Sequence, residues 1–272
     1  QIVYFNSKFR DNYYKTRATK FDYTFPYTIR NITSVSLSSI EIPNSWYNFS
    51  KKKGNTNFFI RTHAREGGKI EEKMHELIIP EGLWSSIELV DYLKREYFDN
   101  EGEVCYIKME IDPILLKVYF ELEKNAPDDF VFDLIFKTNK ENPILTAGWT
   151  LGFRAFEYIN INNRIISEAL FDGLGGSFFY FALTDYNSHR TENDIIFLNN
   201  IYLEKDIIGK IYTDGNFRIL IEDENNQSNF KKREYYGPVN INKISVKLLD
   251  EYGQELCLNG MDFSFTLQFE IL

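Results

Sequence analysis

The stretch "ITSVSLSSIEIP", residues 32–43, alternates apolar and polar side chains more clearly than any other part of the chain. Its apolar positions almost keep a period of two, which is typical of a strand with one buried face and one exposed face. A slip in the alternation at Ser38 and Ser39 predicts a β-bulge, where one extra residue enters the strand. The stretch therefore predicts a half-buried strand in a β-sheet.

Shorter alternating runs recur along the rest of the chain. Pro26 interrupts the run over residues 20–29, and it predicts a sheet edge or a break there because proline has no N–H to donate. Residues 85–97 have helical spacing instead, and Ser85 with Glu88 fits a capping box. Strands and helices do not alternate. We therefore predict an all-β protein, an antiparallel β-sandwich of the jelly-roll type with elaborated loops and one short helix.

The composition can supply a large apolar core. Of the 272 residues, 43% are hydrophobic, and the chain contains 24 Phe and 18 Tyr. Aromatic and β-branched residues favour strands, and a β-sandwich of this length often forms one domain. We predict an N-terminal arm over residues 1–20, followed by a single jelly-roll domain with insertions over residues 21–272.

Charge and cysteine content restrict the partners and the setting. The net charge of −9 argues against direct nucleic-acid binding, because phosphate contacts require clustered Lys and Arg. No apolar run reaches the roughly 18 residues of a membrane-spanning helix, so no transmembrane segment is predicted. Cys105 and Cys257 lie in apolar, strand-like runs, and both are predicted to be buried and reduced, which favours a reducing cytosol.

The sequence contains no recognisable catalytic set. His63, His75 and His189 have no partner at metal-ligand spacing and are predicted to be surface residues. Acidic pairs such as residues 128–129 are predicted to be solvated loop charges. The glycine-rich stretch "FDGLGGS", residues 171–177, lacks the Lys-Ser/Thr end of a P-loop and predicts a turn where two backbones approach. We therefore predict no catalytic residue, no cofactor and no metal, and a protein that is not an enzyme.

The stretch "PILTAGWTLGFR", residues 143–154, combines glycines with alternating aromatic and aliphatic residues. Glycine allows sharp backbone turns and close packing. We predict a structural corner in an aromatic strand, built from Gly148, Trp149, Gly152 and Phe153.

Several tyrosines fall in segments that the sequence predicts to be loops or arms. Tyrosine is enriched at protein interfaces because it supplies a large contact area at low entropic cost. We predict that residues 6–20 become ordered only in an assembly. The candidate interface residues are Tyr13, Tyr14, Arg17, Tyr235 and Tyr236.

Two other functions remain open at this point. Trp46, Trp84 and Trp149 could stack on sugars in a carbohydrate-binding β-sandwich, although Trp84 and Trp149 have the pattern of core residues. A glycoside hydrolase would need two facing acids, for which Asp128 and Asp129 are candidates.

Four stretches of the chain resemble the jelly-roll capsid proteins of large and giant double-stranded DNA viruses, in the penton or minor capsid group. Together they cover both ends and the middle of the chain. They are "FRDNYYKTRATKFDYTFPYTIRNITSVSLSSIEIPNSWYNFS" at 9–50, "AGWTLGFR" at 147–154, "SEALFDG" at 167–173 and "YYGPVNINKISVKLLDEYGQELCLNGMDFSFTLQFEIL" at 235–272.

This resemblance implies a structural virion component of an icosahedral capsid, at the fivefold vertex or beneath the capsomers. It implies the major capsid protein and other capsid proteins as partners, and a homopentamer if the chain is a penton. It also implies assembly in the host cytoplasm, and it brings no catalytic residues with it.

Overall fold

The structure is a computed structural model, and the chain contacts divide it into two compact units. The first unit comprises Gln1–Trp46 and Gly176–Leu272, and the second comprises Tyr47–Gly175. The structure describes all residues except 67–68, 138–141, 192–196, 199–200, 203–205, 214–217, 223–228 and 231. The turn that the sequence analysis noted at 214–216 and most of the Asn-rich loop around 225–231 lie outside the described residues.

The described residues form mainly short strands, and every pairing between these strands is antiparallel. The all-β prediction is therefore confirmed. The strands are β1 (Ile2–Asn6), β2 (Lys20–Pro43), β3 (Asn57–Glu66), β4 (Lys69–Ile78), β5 (Ile107–Ile111), β6 (Val118–Leu122), β7 (Val131–Ile135), β8 (Glu157–Ile161), β9 (Arg164–Ile166), β10 (Phe178–Thr184), β11 (Phe197–Leu198), β12 (Ile201–Tyr202), β13 (Ile207–Tyr212), β14 (Arg218–Glu222), β15 (Asn229–Phe230), β16 (Arg233–Asp250) and β17 (Ser264–Ile271). The helices are α1 (Ser86–Leu93) and α2 (Ala147–Leu151).

The first unit is built on an 8-stranded sheet in the order β1-β17-β2-β16-β10-β13-β15, with β14 also paired to β2. The long strand β2 contains residues 32–43, and its apolar side chains enter the core of this unit. In its register with β17, Leu267 faces Leu37 and Thr266 faces Ser39, so Ser38 is the extra residue of a bulge. The predicted bulge is confirmed. The buried members of this stretch are Ile32, Val35, Leu37, Ile40 and Ile42.

The backbone of β2 continues through Pro26, but its pairing with β16 does not. Thr24 faces Lys243 and Ile29 faces Ile241, so a longer piece of β2 lies opposite a shorter piece of β16. Proline can be accommodated there because the ladder is already irregular and needs no N–H at that point. The predicted break is therefore a break in pairing and not in the strand.

The second unit contains a 4-stranded sheet, β4-β3-β7-β8, and a 3-stranded sheet, β5-β6-β9. Helix α1 begins as predicted: the Ser85 side chain accepts from the Glu88 N–H at 3.3 Å, and the Glu88 carboxylate accepts from the Ser85 N–H at 3.1 Å. Leu89 and Leu93 on α1 are fully buried in the phenylalanine-rich core of this unit.

The structure differs from the predicted domain boundaries, an arm over 1–20 and one domain over 21–272. β1 pairs with β17 along its whole length, so the first residues belong to the first unit. Residues 47–175 have a core of their own, formed by contacts between strands of that segment. Alternation within single strands carries no information on which strands share a core.

Candidate functional site

The edge of the 8-stranded sheet is formed by β1, the last strand on that side. Its alternation buries Phe5 and leaves Ile2 and Tyr4 outside, with Tyr4 80% exposed. The backbone of an edge strand has unpaired N–H and C=O groups on its outer side and can pair with another chain. The edge therefore combines backbone hydrogen-bonding capacity with exposed apolar side chains.

A groove of about 500 Å³ lies over the last three strands at this edge, β1, β17 and β2, and half of its ten lining residues are polar. Tyr4 and Phe9 form its exposed aromatic wall, and Phe9 is 73% exposed. Phe5 and Phe265 stack beneath it with ring centroids 4.9 Å apart. We call this feature the aromatic groove; its lining includes Tyr4, Phe9, Tyr23, Glu41, Phe265 and Thr266. Proteins that function alone rarely keep two large aromatic side chains so exposed in one place, so the groove is a candidate binding surface.

The segment after β1 is folded back onto the first unit. Arg10 anchors it: its Nη1 donates to Asp262 Oδ1 and to the Ser7 carbonyl, both at 2.7 Å. Asp11 accepts from the backbone N–H of Thr24 at 3.0 Å. These ionic and backbone contacts place the segment against the first unit, whereas the sequence predicted that residues 6–20 are ordered only in an assembly.

Three of the predicted interface residues lie on this segment and are exposed. Tyr14 is 97% exposed, and its ring packs edge-on against Tyr13 at 5.3 Å. The guanidinium of Arg10 lies 3.9 Å from the centre of the Tyr13 ring, which fixes that ring against the anchor. Arg17 reaches Glu255 at 3.5 Å with a side chain that is 73% exposed. The structure thus brings Tyr13 and Tyr14 together in a rigid setting.

The other two predicted interface residues have opposite environments. Both lie on strand β16 and not in a loop, so their side chains point to opposite faces. Tyr236 is 77% exposed, whereas Tyr235 is only 8% exposed. The hydroxyl of Tyr235 donates to Asp185 Oδ2 at 2.7 Å in the interior. Tyr235 therefore cannot serve as the surface contact that the sequence suggested.

Tyr235 belongs to a buried ionic cluster, the Asp185 network, formed by Asp185, Arg190, Asp206, Arg233 and Tyr235. Arg233 is the largest of the fully buried side chains of the described residues; it donates to Asp185 Oδ2 at 2.7 Å and to the Leu183 carbonyl at 2.7 Å. Arg190 bridges Asp185, at 3.1 Å, and Asp206. The network joins the end of β10, the start of β13 and the start of β16, which are distant in sequence.

The network also shifts the pKa values of its members. Burial alone would raise the pKa of Asp185, but the Arg233 charge and the Tyr235 hydroxyl lower it below its ordinary value of 3.8. Burial and the nearby Asp185 charge raise the pKa of Tyr235. The cluster therefore keeps Asp185 ionised and Tyr235 protonated over the physiological range.

The lowered pKa of Asp185 predicts a specific acid sensitivity. A carboxyl with a lowered folded-state pKa stabilises the fold above its ordinary pKa and loses that contribution as the pH falls through the lowered value. The urea midpoint of the first unit should therefore stay constant between pH 7 and pH 5, which is about one unit or more above the ordinary pKa of 3.8. The midpoint should then decrease as the pH is lowered further.

The control for this prediction is Asp185→Asn, which lacks the titrating group. This variant should be less stable than the wild type at neutral pH and should lose less stability below the ordinary pKa. Equal acid slopes for the two proteins would show that Asp185 does not contribute to the acid sensitivity.

The predicted glycine corner is present, but it is a short helix and not a strand. Residues 147–151 form α2, and the Thr146 side chain accepts from the Trp149 N–H at 3.3 Å as its N-terminal cap. Gly152 ends the helix with a φ of +96°, in the left-handed region that favours glycine. The prediction of an aromatic strand is therefore wrong for this segment, although its glycines do make the turn.

The glycines of this corner are needed for close packing. A Cβ on Gly148 would lie 2.4 Å from Cγ of the buried Phe136 ring, and one on Gly152 would lie 2.3 Å from the Ala169 carbonyl oxygen. Phe153 stacks on Phe136 at 5.1 Å. The corner therefore closes the core of the second unit. The glycine-rich stretch 171–177 was predicted to be a turn where two backbones approach, and this is confirmed. A Cβ on Gly175 would lie 3.0 Å from the Asn48 backbone.

None of the three tryptophans of the chain forms an exposed platform. Trp46 is buried against Phe179 at 5.9 Å. Trp84 is half-buried and donates from its indole N–H to the Pro80 carbonyl at 2.8 Å. The guanidinium of Arg154 lies 4.0 Å from the centre of the half-buried Trp149 ring and covers it. The residues on which a sugar-binding function depended are therefore occupied by packing within the chain.

The histidines and cysteines differ in part from their predicted settings. His63 is half-buried and lies 3.0 Å from Oδ2 of the buried Asp133. His75 contacts Thr62 at 3.0 Å, and burial lowers its pKa. The expectation of surface histidines fits His189, which is exposed, and not the other two.

Cys105 is half-buried and Cys257 is exposed, so the prediction that both are buried is wrong. Within the described part of the chain, no three His, Cys, Asp or Glu side chains are grouped to hold a metal ion. No helix among the described residues is both long and apolar enough to cross a membrane.

No family model matches the sequence, and no curated protein matches it. A solved structure is nevertheless similar over the whole chain: the crystal structure of a selenomethionine-labelled mavirus penton protein. The TM-score is 0.54 at 10% sequence identity, and the match covers 100% of this chain and 100% of that chain. At this identity the likeness establishes fold. The chain therefore has the all-β fold of a viral penton protein.

Proposed function

We propose that this chain is a structural subunit of a viral capsid, at a penton or minor capsid position. The observation that carries the proposal is the full-length likeness to the mavirus penton protein, which covers 100% of both chains. A likeness of this extent reaches both units and includes the segments that resemble capsid proteins in sequence. In this proposal the protein is located in the virion and has no catalytic activity.

The surface of the chain supports an assembling role. A shell subunit has to bury its edges against neighbours, and apolar burial contributes about 25 cal/mol per Å². The chain exposes an edge strand, β1, and the aromatic groove beside it. The exposed Tyr14 and Tyr236 add further aromatic area. We propose that Tyr13, Tyr14, Arg17 and Tyr236 contact other capsid proteins, including the major capsid protein, and that a penton would form a homopentamer.

Antibodies against the purified chain can test the capsid role on intact particles of the virus that encodes it. We expect immunogold label at the vertices of intact particles for a penton, or label that appears only on opened particles for a subunit beneath the capsomers. In both cases the chain should cofractionate with infectious particles in a density gradient. An unrelated protein of the infected cell with similar charge serves as the control for carry-over. Label confined to the soluble fraction of infected cells would contradict the proposal.

A further inference from the structure

The tip of the β5–β6 hairpin in the second unit is strongly apolar. Three consecutive aliphatic residues follow Pro113 there, and all are exposed: Ile114 by 88%, Leu115 by 56% and Leu116 by 47%. We call these three residues the apolar tip. A single exposed aliphatic residue is ordinary, but three in succession at the end of a hairpin form a contiguous patch that calls for a partner.

The apolar tip is held in one conformation by hydrogen bonds at its base. Asp112 Oδ1 accepts from the N–H groups of Ile114 at 2.9 Å and Leu115 at 2.8 Å. The Leu116 N–H donates to the Asp112 carbonyl at 2.8 Å, and the Phe171 N–H donates to the Leu116 carbonyl at 2.8 Å. The tip is therefore preorganised, so binding through it costs little conformational entropy.

The backbone of Leu116 has a conformation that is energetically unfavourable for leucine. Its φ is +53°, in the left-handed region, where glycine and asparagine are favoured and a leucine is strained. Its side chain is nearly half exposed, so core packing does not explain the leucine either. A strained and exposed aliphatic residue indicates a functional constraint at this position.

A protein pocket fits the apolar tip better than a lipid bilayer does. The chain carries a net charge of −9, and the hairpin turn contains one acid, Asp112, and one base, Lys117. Attraction to anionic membranes requires clustered Lys and Arg, and insertion at the bilayer interface favours Trp and Tyr, which the tip lacks. Aliphatic anchors that enter a desolvated pocket are the usual centre of a protein interface.

The chain itself carries a concave surface with a mixed aromatic and polar lining. We propose, on the basis of the capsid function proposed above, that the apolar tip of one copy inserts into the aromatic groove of a second copy. The groove has a volume of about 500 Å³ and an exposed wall of Tyr4 and Phe9. One pair of flanking charges is complementary: Lys117 follows the tip directly in sequence, and Glu41 lines the groove.

This contact is heterologous, because the two copies use different surfaces. Each copy supplies one tip and one groove, so a chain of such contacts closes into a ring when the rotation between copies allows closure. A ring of this kind would be incomplete without both surfaces on every copy. The proposal therefore assigns separate roles to two sets of residues that can be changed independently.

Sedimentation velocity over a range of concentrations tests the contact with the full chain. The tip variant is Ile114→Ser with Leu115→Ser, and the groove variant is Tyr4→Ser with Phe9→Ser. We expect each variant to raise the Kd of self-association by at least about tenfold. The control, Ile87→Ser with Met74→Ser, removes side chains that are 73% and 55% exposed elsewhere and should change the Kd by less than about twofold.

Mixing the two variants gives a second readout. The groove variant keeps an intact tip and the tip variant keeps an intact groove, so the mixture should form heterodimers that do not grow further. Leu116→Asn should keep or raise the melting temperature, because asparagine tolerates the left-handed conformation, and should weaken self-association.

The proposal is overturned if the wild type stays monomeric at every concentration, or if both variants self-associate like the wild type. It is also overturned if tip-dependent binding appears with phosphatidylcholine–phosphatidylserine vesicles and not between copies. None of these results changes the particle-labelling test, so the capsid function can stand or fall separately.

Discussion

Arg233→Met should lower the free energy of unfolding by about 3–5 kcal/mol, the usual cost of removing one partner from a buried ion pair. Arg233 is 1% exposed and pairs with Asp185 at 2.7 Å. Methionine has a similar length but no charge, so Asp185 and the carbonyls of Leu183 and Asp206 lose a donor. Urea unfolding with hydrogen exchange in β10, β13 and β16 measures the effect and locates it in the first unit.

A matched control and a double variant make this test specific. Arg17→Met removes an arginine whose side chain is 73% exposed and should cost about 0–1 kcal/mol, as exposed ion pairs do. Arg233→Met combined with Asp185→Asn should cost less than the sum of the single changes, because no unpaired charge is left inside. A loss for Arg233→Met no larger than that for Arg17→Met would show that the Asp185 network does not stabilise the fold.

Gly152→Ala should cost about 2–5 kcal/mol, from two effects that add. Alanine at a φ of +96° has an unfavourable backbone conformation, worth roughly 1–2 kcal/mol. Its Cβ would also lie 2.3 Å from the Ala169 carbonyl oxygen, and relieving such overpacking typically costs about 1–3 kcal/mol. Thermal unfolding followed by exchange in the second unit is the measurement.

Gly260→Ala is the control for the backbone effect. Gly260 has a φ of +82°, and a Cβ built there has no neighbour within 4 Å. Its replacement should therefore cost only the conformational part, about 1–2 kcal/mol. If the two variants are equally destabilised, the close approach of Gly152 to Ala169 has no energetic weight, and the tight corner of the second unit is not needed for its packing.

Local signals in the sequence were sufficient for several elements. The Ser38 bulge could be predicted because the alternation itself slips there, and the start of α1 because Ser85 and Glu88 satisfy each other's backbone groups. Both depend on residues that are neighbours in sequence. The class of fold followed from the same alternation repeated along the chain.

Other features depend on contacts between distant residues, which no local pattern reports. Tyr235 lies next to charged residues, and its burial follows from Asp185, a partner on another strand. At the corner, alternating Trp149, Leu151 and Phe153 favoured a strand. The sequence also contained two helix signals, an N-terminal cap at Thr146 and a terminating glycine at Gly152. The alternation outweighed these two signals in the prediction. The division into two units likewise depends on which strands pack against each other, and these strands are distant in sequence.

The aromatic groove was not predictable from the sequence. Tyr13 and Tyr14, which were candidates because they lie in a polar segment, are not part of its lining, and Tyr4 and Phe9, which form its exposed wall, have the pattern of a strand and an arm. Their exposure depends on β1 occupying the sheet edge. A sequence identifies β1 as a strand but does not give its position in the sheet.

Quantitative mass spectrometry of gradient-purified particles tests most directly whether this chain is a building block of a shell. The expected result is a constant ratio of this chain to the major capsid protein, in every preparation and after washes with salt and mild detergent. A ratio that varies between preparations, or a chain that washes off or is missing, would contradict a structural role in the capsid.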